Sequence, residues 1–194
     1  VVVFFFSYVF FRDGASVKAK LVVRFLEEVA SGFPQIFILG DLFDSWPGTT
    51  EYLIKTYEPV VNSLKRLSKH GHEIHYIEGN HDFRLGKYFS EEVGIQVHPD
   101  SFVQELGGKK VYMAHGDLGN PKELGYRMLR YVLRRNILHH ALKLFPSDVV
   151  FRAGLKGSQL SRDYRGEVPK KSERIRNIYR QTATRLFKRG YDVV

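Results

Sequence analysis

Apolar residues along this chain alternate between short unbroken runs and longer stretches with helical spacing, which predicts strands and helices in succession. Val1–Phe6 is a continuous apolar run of strand length. Val17, Leu21, Val22, Phe25, Leu26 and Val29 then recur at three- and four-residue intervals until Ser31-Gly32, predicting an amphipathic helix. Ile36–Leu39 is the next strand, ending on Gly40-Asp41. Tyr52, Leu53, Tyr57, Val60, Val61, Leu64 and Leu67 give one further amphipathic helix, closed by Gly71, and Glu73–Glu78 alternates as a strand before Gly79-Asn80-His81-Asp82. The result is a βαβαβ succession, an α/β class fold in which polar residues gather at the carboxyl ends of strands.

The pattern then changes. Phe102–Leu106, Gly107-Gly108 and Lys109–Ala114 read as a β-hairpin that runs into His115-Gly116-Asp117. Beyond Pro121 the chain turns helical: Tyr126, Leu129, Val132, Leu133, Ile137, Ala141, Leu142 and Phe145 make an apolar stripe that Pro146 breaks. Helical segments around Val149–Leu160 and from Ser172 to Lys188 follow, and Tyr191–Val194 is extended again.

With 194 residues and 43% hydrophobic content, the chain suits one domain with a sizeable core. No cysteine occurs, which excludes disulfides and thiolate zinc sites and leaves carboxylate, amide and imidazole as metal donors. Such a donor set narrows the metal to Mn²⁺, Mg²⁺, Fe or an oxygen/nitrogen Zn²⁺ site. The apolar opening has no basic leader and no small-residue cleavage site, and it falls well short of a membrane span. With no initiator methionine and a stop inside a strand, the sequence is expected to be a piece of a longer one.

Charge divides the chain. Residues 1–117 hold 12 basic and 15 acidic side chains, whereas residues 118–194 hold 18 and 6, a net +12. That surface favours anionic partners such as a phosphorylated substrate, an anionic membrane surface or nucleic acid.

Three polar runs follow apolar strands: Gly40-Asp41-Leu42-Phe43-Asp44, Gly79-Asn80-His81-Asp82 and His115-Gly116-Asp117. Each alone is an ordinary turn sequence. Together they offer a carboxylate (Asp41), an amide oxygen (Asn80) and an imidazole (His115), donors suited to a hard divalent ion, and so to metal-assisted phosphoester hydrolysis. His81 is the candidate to bind a phosphate oxygen or protonate the leaving group, with Asp82 as its carboxylate partner. Asp44 and Asp117 are candidates to orient the donors through hydrogen bonds. The remaining histidines, His70, His72, His75, His98, His139 and His140, lack such a setting and are expected to be structural.

These blocks resemble the calcineurin-like metallophosphoesterases, whose pattern runs D-x-H, G-D, G-N-H-D or G-N-R-D, H, and finally G-H-x-H. More narrowly, Gly40-Asp41-Leu42-Phe43-Asp44-Ser45-Trp46, Gly79-Asn80-His81-Asp82-Phe83 with Gly86, and His115-Gly116-Asp117 before a basic helical stretch are similar to the UDP-2,3-diacylglucosamine pyrophosphatases of lipid A synthesis. The resemblance implies a sandwich of β-sheets flanked by helices. Residues 1–119 would form the phosphoesterase core, residues 120–187 a basic helical cap over the acyl chains, and residues 188–194 the return to a core strand. It also implies a dinuclear metal centre that includes Asp41, Asn80 and His115, and a lipid-linked nucleotide sugar as substrate. The enzyme would work at the cytoplasmic face of the inner membrane without spanning it. Asn80, Tyr126, Arg127, Arg130, Ser161 and Arg162 would meet the headgroup, while Leu129, Leu133, Leu142, Leu144 and Phe145 would line an acyl pocket.

Two departures bear on activity. Tyr8 and Phe10 stand where Asp and His are expected, and the chain ends before G-H-x-H. A phenol and a benzene ring cannot replace those donors, so the expectation for this chain as it stands is at most one weakly held ion and little hydrolysis. The alternative readings are a phosphodiesterase acting on nucleotides or nucleic acid, and a non-catalytic module that keeps a lipid or phosphate pocket.

Overall fold

The computed structural model describes residues 2–7, 9, 13–135, 144–166 and 171–194, with the backbone alone for residues 147, 158–166 and 171–172. Tyr8, Phe10, Ile137, His139, His140, Ala141 and Leu142 lie outside the described residues, as do the side chains of Ser161 and Arg162.

The centre is a parallel sheet of β1 (Val3–Phe6), β2 (Gln35–Ile38), β3 (Glu73–Ile77) and β4 (Gln96–His98), in that spatial order. Parallel neighbours need crossovers, and the helical periodicity supplies them. Helix α1 (Val17–Glu28) joins β1 to β2, capped by the Ser16 hydroxyl accepting from the Ala19 amide. Helices α2 (Glu51–Thr56) and α3 (Glu58–Lys69) join β2 to β3. The sequence pattern predicts a single helix here. Pro59 is the reason for two: lacking an amide hydrogen and crowding the preceding turn, it fits a helix start, and Tyr57 leaves helical geometry just before it. Strand β4 was not foreseen, because Gln96–His98 is only three residues long and carries no alternation to read.

Alternation along the strands sorts the core into two layers. Ile36, Ile38, Ile74 and Tyr76 face α1 and α3 and pack with Val22, Leu26, Val60 and Leu64. Phe37 and Ile77 face the other way, onto Val111 and Met113 of an antiparallel hairpin formed by β5 (Ser101–Leu106) and β6 (Lys109–Ala114). The sheet is thus covered by helices on one side and by the hairpin on the other, and the carboxyl ends of β2, β3 and β6 meet at one edge. Tyr191–Val194 returns beside β6, where the Tyr112 amide donates to the Val193 carbonyl at 2.9 Å.

Among the described residues three helices follow: α4 (Leu124–Leu133), α5 (Ser147–Gly166), which begins directly after Pro146, and α6 (Lys171–Phe187). Helix α5 is pinned to the body by Phe151, buried against the rings of Tyr52 and Tyr57 at 5.5 and 6.2 Å. Helix α6 is tied by the Thr182 hydroxyl, which donates to the Gly119 carbonyl at 2.8 Å. Helix α4 buries none of its residues fully, leaving Leu124, Met128 and Tyr131 exposed. Among the described residues, no helix is long and apolar enough to cross a membrane.

Candidate metal centre

Asp41, Asn80 and His115 come from three different strand ends and converge. His115 Nε2 lies 3.1 Å from Asp41 Oδ2 and 3.1 Å from Asn80 Oδ1. Donors that share one ion at bond lengths near 2.1 Å, at right angles, sit about 3 Å apart. Both separations from His115 Nε2 therefore match the spacing of ligands around a single cation.

Local chemistry aims each of them. His115 Nδ1 donates to the Leu39 carbonyl at 2.7 Å, which turns Nε2 toward Asp41 and Asn80 and leaves that nitrogen as the coordinating one once the ring is neutral. Burial opposes charge on the imidazole, but the hydrogen bond and charge of Asp41 outweigh it and raise the pKa to about 9. At neutral pH the ring therefore keeps its proton, with Nε2 facing the oxygens of Asp41 and Asn80. This donor set fits a divalent metal. Among the described residues no set of three carboxylate or imidazole side chains gathers around a common point, so Asn80 is needed to complete the trio.

Two glycines let the strand ends meet. Gly40 has φ +78°, and a Cβ there would stand 2.7 Å from the Gly79 Cα and from His115 Nδ1. A Cβ on Gly79 would in turn meet the Asp41 amide nitrogen at 2.6 Å. Asp41 itself has φ +56°, an uncommon conformation for a residue with a side chain.

Asp82 holds that conformation in place. Fully buried, its Oδ1 accepts from the amides of Asp41 (2.9 Å) and Gly79 (3.0 Å), and its Oδ2 from the amides of Leu42 (2.6 Å) and Phe43 (3.2 Å) and from the Tyr76 hydroxyl (2.5 Å). Burial and the charge of Asp41 push its pKa upward, while these donors pull it back. Among the described residues its partners do not include the His81 ring, so the sequence-based pairing of Asp82 with His81 gives way to a positioning role for Asp82. The His81 amide donates to Asp41 Oδ1 at 3.1 Å, and its ring Nδ1 lies 3.3 Å from the Asp44 carbonyl.

An apolar cavity of about 590 Å³ opens on this turn. Asn80, His81, Asp44 and Ser45 line it together with Leu129, Leu133, Phe145, Val149 and Val150 and with Tyr126, Arg130 and Arg134; of the trio, Asn80 alone is among these lining residues. Of the residues expected to line an acyl pocket, Leu129, Leu133 and Phe145 line this cavity, whereas Leu144 is 85% exposed and does not. Asp117 Oδ2 accepts from the Tyr126 hydroxyl at 2.5 Å and from Arg130 Nε at 3.0 Å, fixing both side chains on α4. Arg127 turns elsewhere and donates to the Leu118 carbonyl at 3.3 Å. Sequence reasoning missed Arg134 and Glu78. Arg134 Nη1 bonds Glu78 Oε2 at 2.8 Å and Nη2 donates to the Gly79 carbonyl at 3.3 Å, clamping the Asn80 turn to α4. The recurrence of Arg127, Arg130 and Arg134 along one helix was the available signal.

The sequence profile of the calcineurin-like phosphoesterases matches residues 18–183, nearly the whole chain and all three donors. The chain belongs to that family. Among its relatives, the UDP-2,3-diacylglucosamine hydrolase of Photorhabdus laumondii is 31% identical over 167 residues, covering 86% of this chain and 68% of its own length. That of Actinobacillus succinogenes is 31% identical over 172 residues (87% and 70%), and that of Stenotrophomonas maltophilia 36% over 110 residues (57% and 44%). The chain therefore spans about two thirds of the length of the first two relatives and under half of the third. Among solved structures, a protein of unknown function from Aquifex aeolicus covers 72% of this chain and 73% of its own with a TM-score of 0.39 and 16% identity, too distant to inform the site.

Proposed function

We propose that this chain hydrolyses the pyrophosphate bond of UDP-2,3-diacylglucosamine, giving UMP and a lipid monophosphate. The observation that carries the proposal is the junction of two unlike environments: Asn80, which meets His115 and through it Asp41, also lines a cavity whose lining is mostly apolar. A substrate with a pyrophosphate attached to acyl chains needs both. Asp41, Asn80 and His115 would hold a divalent ion, Mn²⁺ by preference, which when bound neutralises charge on the phosphate oxygens. His81 lines the cavity beside Asn80 and would donate a hydrogen bond to the diphosphate. Tyr126 and Arg130, held by Asp117, would orient the headgroup. Leu129, Leu133 and Phe145 would bury acyl carbons, at about 0.8 kcal/mol per methylene removed from water.

In this reading residues 120–187 act as a cap. Exposed Leu124, Met128 and Val132 alongside basic side chains of α4 would rest on an anionic bilayer. The activity of its relatives, UDP-2,3-diacylglucosamine hydrolases, supports the same substrate.

The test compares UDP-2,3-diacylglucosamine with its deacylated counterpart, with Mn²⁺ present. The acylated substrate should be turned over at least about tenfold faster, since each buried methylene contributes on the order of a fourfold factor. Equal rates would overturn the acyl assignment, and no turnover of either would overturn the hydrolase assignment for this chain.

A further inference from the structure

A second and larger hollow, of about 1030 Å³, adjoins the apolar cavity. Arg130 and Arg134 line both, so the two spaces meet across these side chains. Six cations face the hollow: Arg84, Lys87, Arg127, Arg130, Arg134 and Arg135. Among the described residues only Glu78 and Asp100 oppose them there, and each already pairs with an arginine, Arg134 at 2.8 Å and Arg130 at 2.7 Å. Formal charge in the hollow is therefore well above neutral, in a space large enough for a nucleotide.

Two further features mark it as built for a ligand. Arg84 has φ +58°, a conformation that a long side chain rarely adopts, and it is locked there by its Nη1, which donates to the Arg134 carbonyl at 2.9 Å. Arg135 lies over the Tyr131 ring at 4.1 Å, giving a planar guanidinium on an aromatic face at the wall of the hollow. A cationic plane of that kind stacks on a base as readily as it meets a phosphate.

We infer that this basic hollow binds the nucleoside monophosphate half of the substrate and retains it as product. The inference rests on the proposed pyrophosphatase reading for the substrate's position: the acyl half lies in the apolar cavity, the diphosphate at the Asn80 turn, and the nucleotide beyond Arg130 and Arg134. Lys87 and Arg127 meet the phosphate, and the Arg135–Tyr131 pair stacks on the base. Arg130 and Arg134 keep their structural partners and supply background charge.

Binding is measured directly, because it needs no turnover. UMP and phosphate-free uridine are titrated by calorimetry into the wild-type chain and into the Lys87→Gln/Arg135→Gln and Lys87→Glu/Arg135→Glu variants. Neither position contacts the metal donors. Expected are UMP binding to wild type that weakens with added salt, uridine binding at least about tenfold weaker, loss of about tenfold in UMP affinity in the glutamine variant, and a greater loss in the glutamate variant. A wild-type chain that binds UMP no better than uridine, or variants that keep wild-type UMP affinity, would overturn the inference. Failure of the parent reading looks different: UMP binds as expected while UDP-2,3-diacylglucosamine is not hydrolysed by the wild type. In that case the hollow stands as a nucleotide site that does not serve this substrate.

Discussion

Replacing Asp82 by asparagine separates a positioning role from a proton-transfer role. The carboxylate accepts five hydrogen bonds, two on Oδ1 and three on Oδ2. An asparagine amide keeps one acceptor and turns an NH₂ toward the other group of donors, so at least two buried donors lose their partner in either orientation. Each buried donor left unpaired costs about 1–3 kcal/mol. Removing a charge that burial and Asp41 disfavour offsets part of this, which sets the expected loss at about 3 kcal/mol, or roughly 10 °C in Tm for a chain of this size. Trp46 is the sole tryptophan and is hydrogen-bonded through its backbone to His81 and Phe83, so urea unfolding followed by its fluorescence reports on the same unit. Asp82→Asn within about 0.5 kcal/mol of wild type would refute the reasoning, since ordinary surface changes fall in that range. A variant of wild-type stability that had lost activity would restore Asp82 as the proton partner of His81.

Two other outcomes follow from the geometry. Calorimetric titration with Mn²⁺ is expected to find one weakly held ion, with affinity that rises as pH approaches about 9 and His115 sheds its proton, and His115→Gln should weaken it by at least about tenfold; two tight ions would contradict the trio as the whole donor set. Acid stability is expected to depend on His98, whose pKa is lowered to about 4 by burial and by its neighbour His75, 3.1 Å away. A depressed histidine favours the neutral folded state, so its contribution is complete above about pH 6.5 and is lost as pH falls from there toward 4. Urea midpoints measured across that window should decline in the wild type and decline less in His98→Phe, which keeps the ring stack on Phe102 and cannot titrate.

Much of this was legible in the sequence, for identifiable reasons. The strand and helix alternation is written in unbroken apolar runs and three-to-four spacing, and the strands at Val3–Phe6, Gln35–Ile38 and Glu73–Ile77 appear with only end residues shifted. The split of the second helix at Pro59 is a local rule overlooked beneath a strong periodic signal. Three-residue β4 offered no pattern, being defined by its pairing with β3. In the site, Asp41, Asn80 and His115 were readable because each follows an apolar run in a turn sequence. The role of Asp82 was not, because nothing in Gly-Asn-His-Asp says that the last side chain folds under the turn toward the end of β2. Arg134 and Glu78 stayed hidden for a related reason: 56 residues separate them, and only the docking of α4 joins them.

The same contacts explain how an uncommon backbone comes to sit at the candidate metal donors. Asp41 in a left-handed conformation would relax if the turn were isolated, and a carboxylate on a mobile turn would lose affinity for a cation through the entropy of fixing it. Here the glycine pair brings the ends of β2 and β3 into contact, and Asp82 then binds the amides of both turns at once, so neither can move without breaking hydrogen bonds to the other. His115 joins through Leu39, at the end of the same β2 strand. All three donors are thereby referred to one piece of backbone. Pre-organisation of this kind makes three ligands worth more than their number, and it locates the weak point of the site in the residue beneath the donors as much as in the donors themselves.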